Sequence, residues 1–180
     1  TDFPSLRYAV AQRNDSLPNN IAVHEFYMQS GGLLNSSKAQ HHYSSLNYTH
    51  VARALAEKNI NVLVQKVARE PGGTGLSLSC NPDISFDLLD EIKRLGKHRP
   101  LLIAEVDPHL PWIGGTAAVA GDFFDIVLEL PEPAPKLFAP PRQAVSDAEY
   151  AIGLRASALI KDGGTLQIGI GSLSDALCHA

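Results

Sequence analysis

The run Gln167-Ile168-Gly169-Ile170-Gly171-Ser172-Leu173-Ser174-Asp175-Ala176-Leu177 holds the residue types best placed for chemistry. Two glycines one residue apart, between an apolar run and a helical pattern, bring backbone N–H groups to a helix N-terminus. Glycine lets a ligand approach the backbone closely, and the helix dipole there favours an anion or a developing oxyanion. Gly169, Ile170, Gly171, Ser172 and Leu173 are therefore candidate oxyanion contacts. The same spacing also suits an ordinary tight turn in which glycine merely permits positive φ, because G-x-G alone is a weak motif. A dinucleotide fingerprint fits poorly: Ser174 stands at the third glycine position, and no ribose-binding acid follows before Ala180.

A second group follows the apolar run Leu101 to Val106: His109, Pro111, Trp112, Gly114 and Gly115. Ligands of open α/β sheets bind beyond the carboxyl ends of the strands, so His109, Pro111, Gly114 and Gly115 are candidates for a substrate pocket, with Asn81 after the neighbouring run Leu76 to Cys80. The alternative is a loop that turns on Pro and Gly while Trp112 packs down. Glu105 at the same edge is either a pocket acid or a solvated strand end, and Glu25 reads as the polar half of an alternating strand. Cys80 invites a thiol–imidazole pair, but an unpaired cysteine more commonly serves as a small buried side chain. His41, His42 and His50 with Tyr43 and Tyr48 make an imidazole- and phenol-rich stretch. No Cys or acid completes a recognisable metal spacing there, so no metal site is assigned, and Tyr43 and Tyr48 could instead line a pocket.

These residues need a scaffold, and the pattern supplies alternating strands and helices. Strands are expected at Ile21 to Met28, Asn61 to Val67, Leu76 to Cys80, Leu101 to Val106, Asp125 to Leu130 and Thr165 to Ile170. Helices are expected from Tyr48 to Lys58 and from Asn81, with Asn81 as cap, Pro82 at the first position and Asp83 at the positive end of the dipole. Leu88, Leu89, Ile92 and Leu95 form the apolar stripe of that second helix, and Gly96 closes it. Ser146 and Glu149 form a capping box for a helix running to about Asp162, with Ile152, Leu159 and Ile160 as core contacts. A further helix begins after Gly171. The alternation predicts an α/β fold: an open, mostly parallel sheet with flanking helices. Pro131 to Pro141 (PEPAPKLFAPP) interrupts it. The expected division is residues 1–130 as an α/β domain, 131–145 as a proline-rich linker, and 146–180 as the start of a second α/β domain.

The capping-box helix, the run D-G-G-T-L-Q-I-G-I-G and the following S-L-S-D-A-L resemble the start of the second domain of the acetyl-CoA hydrolase/transferase family. The family pattern G-I-G-x-x-P-D-A reads here Gly169-Ile170-Gly171-Ser172-Leu173-Ser174-Asp175-Ala176, with Ser174 in place of proline. Upstream, Glu105-Val-Asp-Pro-His-Leu-Pro-Trp-Ile-Gly-Gly115 resembles the family's N-x-x-M-P…G segment, with Asp107 and Leu110 as departures. Leu76 to Asp83 (LSLSCNPD) resembles its strand-to-helix turn. The likeness runs from about Tyr48 to the end.

The resemblance implies a CoA-transferase-like enzyme of two related α/β halves, acting on acyl-CoA and carboxylate substrates. A glutamate would attack the thioester and pass through a glutamyl-CoA intermediate, and the G-x-G amides would bind CoA or the oxyanion. In the family that glutamate follows the G-x-G region. No glutamate follows Glu149 here, so no catalytic residue is assigned in this chain and the nucleophile is expected beyond Ala180. Coenzyme A is then a substrate, with no permanently bound cofactor. A second copy of the chain is a candidate partner.

Composition narrows the classes. The 180 residues are 44% hydrophobic with a formal net charge of −4, which suits a globular domain with a core. The scattered Lys and Arg form no basic stripe, so nucleic acid is not an expected partner. No apolar run reaches the ~20 residues of a membrane span, and no secretory h-region opens the chain. With two cysteines, the expectation is a cytoplasmic protein. Two other function classes remain: a non-catalytic ligand-binding or assembly domain, and a nicotinamide oxidoreductase, which would need an acid after the next strand.

Overall fold

A computed structural model describes residues 7–27, 31–80, 82–130, 137 and 144–180. They fall into two units, Asp2–Leu137 and Phe138–Ala180. In the first unit the helices are α1 (Arg7–Arg13), α2 (Ser37–His42), α3 (Val51–Glu57, entered through a 3₁₀ turn at Tyr48–His50) and α4 (Ser85–Arg94). The strands are β1 (Val62–Arg69), β2 (Leu76–Ser77), β3 (Leu101–Val106), β4 (Ala118–Val119) and β5 (Ile126–Glu129).

The five strands form one mixed sheet in the order β4-β2-β1-β3-β5. Its main body is parallel: β1 pairs with β3, and β3 with β5. The two-residue strands β2 and β4 add an antiparallel edge. The sheet is thus mostly parallel and α/β, as the alternation predicts. The run Leu76 to Cys80 is a strand only at its first two residues, because Ser79 takes a φ of 57° and turns the chain out of the ladder. The expected strand at Ile21 to Met28 is absent from its described residues. Only an isolated bridge between Glu25 and Tyr43 forms there, and Met28 lies outside the described residues. Without a continuous neighbour the segment cannot satisfy a ladder.

Strand periodicity decides what each face buries. Leu63 and Val67 of β1 and Leu102, Ala104 and Val106 of β3 join Leu76, Leu78 and Phe124 in one core, against which Phe86 and Leu89 of α4 pack. The other side of α4 presents Leu88 and Ile92 to Ala52 and Ala56 of α3. Leu88, 1% exposed, contributes about 1.5–3 kcal/mol by burial. The opposite sheet face carries Val62, Val64, Leu101, Ile126 and Leu128, all exposed.

The start of α4 differs from expectation. Asn81 lies outside the described residues, and the helix begins at Ser85, with Ile84 as its cap and no side-chain capping bond. Asp83 adopts a φ of 46°, which a right-handed helix cannot contain, so the chain turns before it coils. The end follows the pattern. Gly96 at φ 65° donates to the Lys93 carbonyl, and Lys97 donates to that of Ile92, which is the Schellman closure.

The second unit holds α5 (Asp147–Ser157) and α6 (Ser172–His179). The capping box forms as read: Glu149 N–H donates to Ser146 Oγ and Ser146 N–H donates to Glu149 Oε2. The helix stops at Ser157, short of Asp162, and Ile152, Leu159 and Ile160 are exposed instead of serving as core. The buried contact is Gly153, which a Cβ would bring to 2.9 Å from the backbone C and O of Ala176. Thr165 to Ile170 is not a strand. The described residues of this unit offer no second strand, and one extended segment cannot pair its own backbone. Of the expected linker, residues 131–136 and 138–143 lie outside the described residues.

Candidate functional site

At the carboxyl ends of β1 and β3, parallel register sets Lys66 beside Glu105. Asp107 follows β3 directly, and its N–H donates to the Val67 carbonyl, extending the ladder by one bond. The Lys66 Nζ lies 3.2 Å from Glu105 Oε1 and 2.7 Å from Asp107 Oδ2. The Asp107 side chain is fully buried. Its other oxygen, Oδ1, accepts from the His109 backbone N–H at 3.0 Å and meets His109 Nδ1 at 3.2 Å. Burial alone would raise the Asp107 carboxyl. The hydrogen bond from Lys66, and then those from His109, outweigh it and hold the group below the ordinary carboxylate range. Burial would likewise lower the Lys66 ammonium, but its bonds to Asp107 and Glu105 raise it. Farther along the same edge, Arg69 pairs with Glu129 of β5.

The loop beyond His109 is pinned to the end of β2. Ser79 Oγ donates to the Pro111 carbonyl at 2.7 Å, and Ser77 Oγ to the Ile113 carbonyl at 2.6 Å. Both serines are buried. Gly114 and Gly115 are exposed, Gly115 at a φ of 68°, and a Cβ at either would meet no atom within 4 Å. His109, Pro111, Gly114 and Gly115 therefore share one loop over the strand ends, while Asn81 is outside the described residues.

The expected oxyanion turn lies in the second unit. Gly171 is the N-cap of α6, with φ 156° and ψ 164°, and Ser172 begins the helix. Side chains at Gly169 and Gly171 would meet nothing within 4 Å, so both flanks of the turn are open. Ile170 is 88% exposed and Leu173 about half exposed. Ser172 Oγ donates to Glu149 Oε1, joining the turn to the capping box of α5. The hydrogen bonds from the Ser146 backbone, Ser172 and the Ser146 hydroxyl lower the Glu149 carboxyl. A helix start follows the glycines as read, but an extended, unpaired segment precedes it in place of a strand.

Other candidates are placed elsewhere. Cys80 is exposed, not the buried thiol expected, and its Sγ accepts from the Ser79 hydroxyl at 3.8 Å. His42 packs on His24, and Tyr48 on Phe26. Among the described residues no group of three His, Cys, Asp or Glu is arranged to hold a metal ion, and no helix is long and apolar enough to cross a membrane. A cavity of about 460 Å³ opens at the opposite, amino-terminal ends of β1 and β3, lined by Asn59, Asn61, Lys97 and Arg99 among others. Its cations are engaged: Lys97 donates to the carbonyls of Ala56 and Glu57, and Arg99 to Asp125. The polar chemistry is at the other end, so cavity size does not mark the site.

Sequence reading missed Lys66. A lysine inside an otherwise apolar strand was the available signal, because only a partner across the sheet makes that position tolerable.

A mostly parallel α/β sheet carries an ionic cluster and a glycine loop at the carboxyl ends of its strands, the edge where ligands of open α/β sheets bind. The chain is 32% identical over 145 residues to the 4-hydroxybutyrate coenzyme A transferase of Clostridium kluyveri, matching 80% of this chain and 31% of that protein. It is 27% identical over 134 residues to the succinyl-CoA:cyclohexane-1-carboxylate CoA transferase of Geobacter metallireducens, matching 74% of this chain and 29% of the relative. The crystal structure of 4-hydroxybutyrate CoA-transferase from Porphyromonas gingivalis superposes with a TM-score of 0.50 at 26% identity, over 87% of this chain and 38% of that one. RipA from Yersinia pestis shares the fold, with a TM-score of 0.57 at 24% identity over 76% of this chain and 30% of that one. No family model matches. Over most of its own length the chain resembles coenzyme A transferases, and it spans about a third of the length of the curated relatives it matches.

Proposed function

We propose that this chain acts as the N-terminal part of an enzyme that moves coenzyme A between an acyl-CoA thioester and a carboxylic acid, or hydrolyses acetyl-CoA-type thioesters. The observation that carries this reading is its 32% identity over 145 residues to a 4-hydroxybutyrate coenzyme A transferase. In the proposed cycle a glutamate carboxylate attacks the thioester carbonyl, and CoA leaves as thiolate. A mixed anhydride remains. The thiolate then attacks the glutamyl carbonyl, releases the acyl carboxylate and leaves glutamyl-CoA. A second carboxylate reverses these steps as a transferase; water in its place gives hydrolysis. Covalent relay by a carboxylate divides one difficult acyl exchange into easier ones.

In this reading the open turn at Gly169 to Leu173 contributes backbone donors to the oxyanion of each tetrahedral intermediate. The loop of His109, Pro111, Gly114 and Gly115 forms part of the substrate surface. The nucleophile is not among the 180 residues, because no glutamate follows Glu149. We therefore expect the 180-residue chain alone to turn over no acyl-CoA.

The test is a panel of acetyl-, succinyl-, butyryl- and 4-hydroxybutyryl-CoA against carboxylic acids, run on a protein of its relatives' length and on the 180-residue chain. Acid-dependent exchange by the longer protein and thiol release no faster than the spontaneous rate by the shorter one are expected. Turnover by the 180-residue chain that survives repurification would refute the missing-nucleophile reading. The alternative, a non-catalytic assembly domain, is favoured by the exposed apolar sheet face at Val62, Val64 and Leu101. It predicts no exchange from the longer protein.

A further inference from the structure

Asp107 and His109 are built as a carboxylate–imidazole pair, and the proposed acyl exchange gives that pair no proton to move. The carboxylate is fully buried and anchored on three sides: Lys66 holds Oδ2, while the His109 backbone N–H and Nδ1 share Oδ1. An ionised carboxylate accepts and cannot donate. Nδ1 must therefore carry the proton of this contact, and in the neutral ring Nε2 is left bare. Nε2 lies on the far side of the ring from Nδ1, and the His109 side chain is 47% exposed. An imidazole oriented through one nitrogen by a buried carboxylate is arranged to accept a proton at the other.

Charge selects what Nε2 can meet. Lys66 supplies one positive charge against two carboxylates, Glu105 and Asp107, and Arg69 is matched by Glu129. The edge is net negative and disfavours an incoming anion. A neutral O–H or S–H donor carries no such penalty. When its proton moves to Nε2, Nδ1 keeps its contact with Asp107 Oδ1.

We propose that His109, positioned by Asp107, is a proton-accepting site for a neutral hydroxyl or thiol at the carboxyl end of the sheet. The site stands on this geometry and does not depend on the coenzyme A reading.

Ring ¹⁵N NMR of the 180-residue chain at pH 8.5 tests it, with the His109 signals assigned by their loss in His109→Gln. The expected result is a protonated Nδ1 and a bare Nε2. Asp107→Asn should shift the ring toward the Nε2–H tautomer, and Lys66→Met, which keeps the Asp107 charge, should leave it on Nδ1. Should Asp107→Asn fail to fold, the wild-type tautomer still decides. An Nε2–H ring in the wild-type chain overturns the proposal. For the ligand class, 1,3-propanedithiol serves as the thiol, 1,3-propanediol as the alcohol and acetate as the anion. Movement of the Nε2 resonance by either neutral probe, with none by acetate, supports the proposal and tells thiol from hydroxyl. Movement by acetate alone, or by no probe, overturns it. Because no acyl-CoA is present, failure here would leave the transferase reading untouched.

Discussion

Lys66 shows how one side chain can commit a strand end. Breaking its bond leaves the buried Asp107 carboxylate short of a partner, which costs about 1–3 kcal/mol. Lys66→Met should therefore lower stability by about that amount near neutral pH. The pH dependence has a definite sign. Asp107 is depressed in the folded state, so its contribution is present above the ordinary carboxylate range and is lost as pH falls through the folded value. Lys66 is raised, so its contribution is present below the ordinary lysine range and is lost as pH rises through the folded value. Urea melts of both proteins across pH should show a gap that is widest between these limits and closes toward acid and toward alkali. Parallel curves at all pH values would mean that the pair contributes nothing. This cluster was only partly legible in the sequence. His109 and Glu105 stood out by position, but Lys66 and Asp107 are 41 residues apart and meet only through the β1–β3 register.

Gly171 belongs to the same scale. Gly171→Val places a branched side chain at φ 156° and on the open flank of the turn. If the turn supplies an oxyanion donor, turnover of the folded protein of its relatives' length should fall by ~100–1,000-fold, and the strain of a side chain at this φ should lower the thermal midpoint as well. Near-normal turnover would remove the turn from the chemistry. Outright unfolding moves the comparison to Gly171→Ala. Ser174→Pro, which restores the family pattern in the first turn of α6, should be tolerated.

Among the elements, α5 and α6 are fastened by Gly153 against Ala176 and by Glu149 with Ser172. A Cβ at position 153 would meet backbone atoms, which cannot swing aside as a side chain tip would. Gly153→Ala gains about 1 kcal/mol of helix propensity but incurs overpacking of about 1–3 kcal/mol. The expected net result is destabilisation, larger for Gly153→Val, read from urea melts. A more stable Gly153→Ala would mean that the helices separate freely. The capping box announced α5 because its partners are three residues apart and need no tertiary context. The end of α5 and the strand expected at Thr165 to Ile170 were illegible for the opposite reason. Apolar alternation in Leu166, Ile168 and Ile170 signals a strand only where a neighbour exists to pair it. Amides of Thr165 to Ile170 should accordingly exchange with solvent much faster than those of β3 in the 180-residue chain. Equal protection would show that a pairing partner is present.

At the scale of the whole chain, the parallel body of the sheet was legible because β1, β3 and β5 are short apolar runs spaced by helix-length or loop-length connections. Its antiparallel edge was not, since two-residue strands carry almost no pattern. Parallel sheets ordinarily have both faces covered, yet here one face buries Leu102 and Val106 while the other exposes Val62, Val64 and Leu101. Coenzyme A transfer to a carboxylic acid is best tested by following the carbon. A protein of its relatives' length is mixed with unlabelled acyl-CoA and a ¹³C-labelled carboxylic acid, and the acyl-CoA pool is read by mass spectrometry. Labelled acyl-CoA is expected at a rate proportional to enzyme, with release of the original acid in equal amount. An acyl-CoA pool that stays unlabelled with every donor and acid in the panel would contradict such transfer.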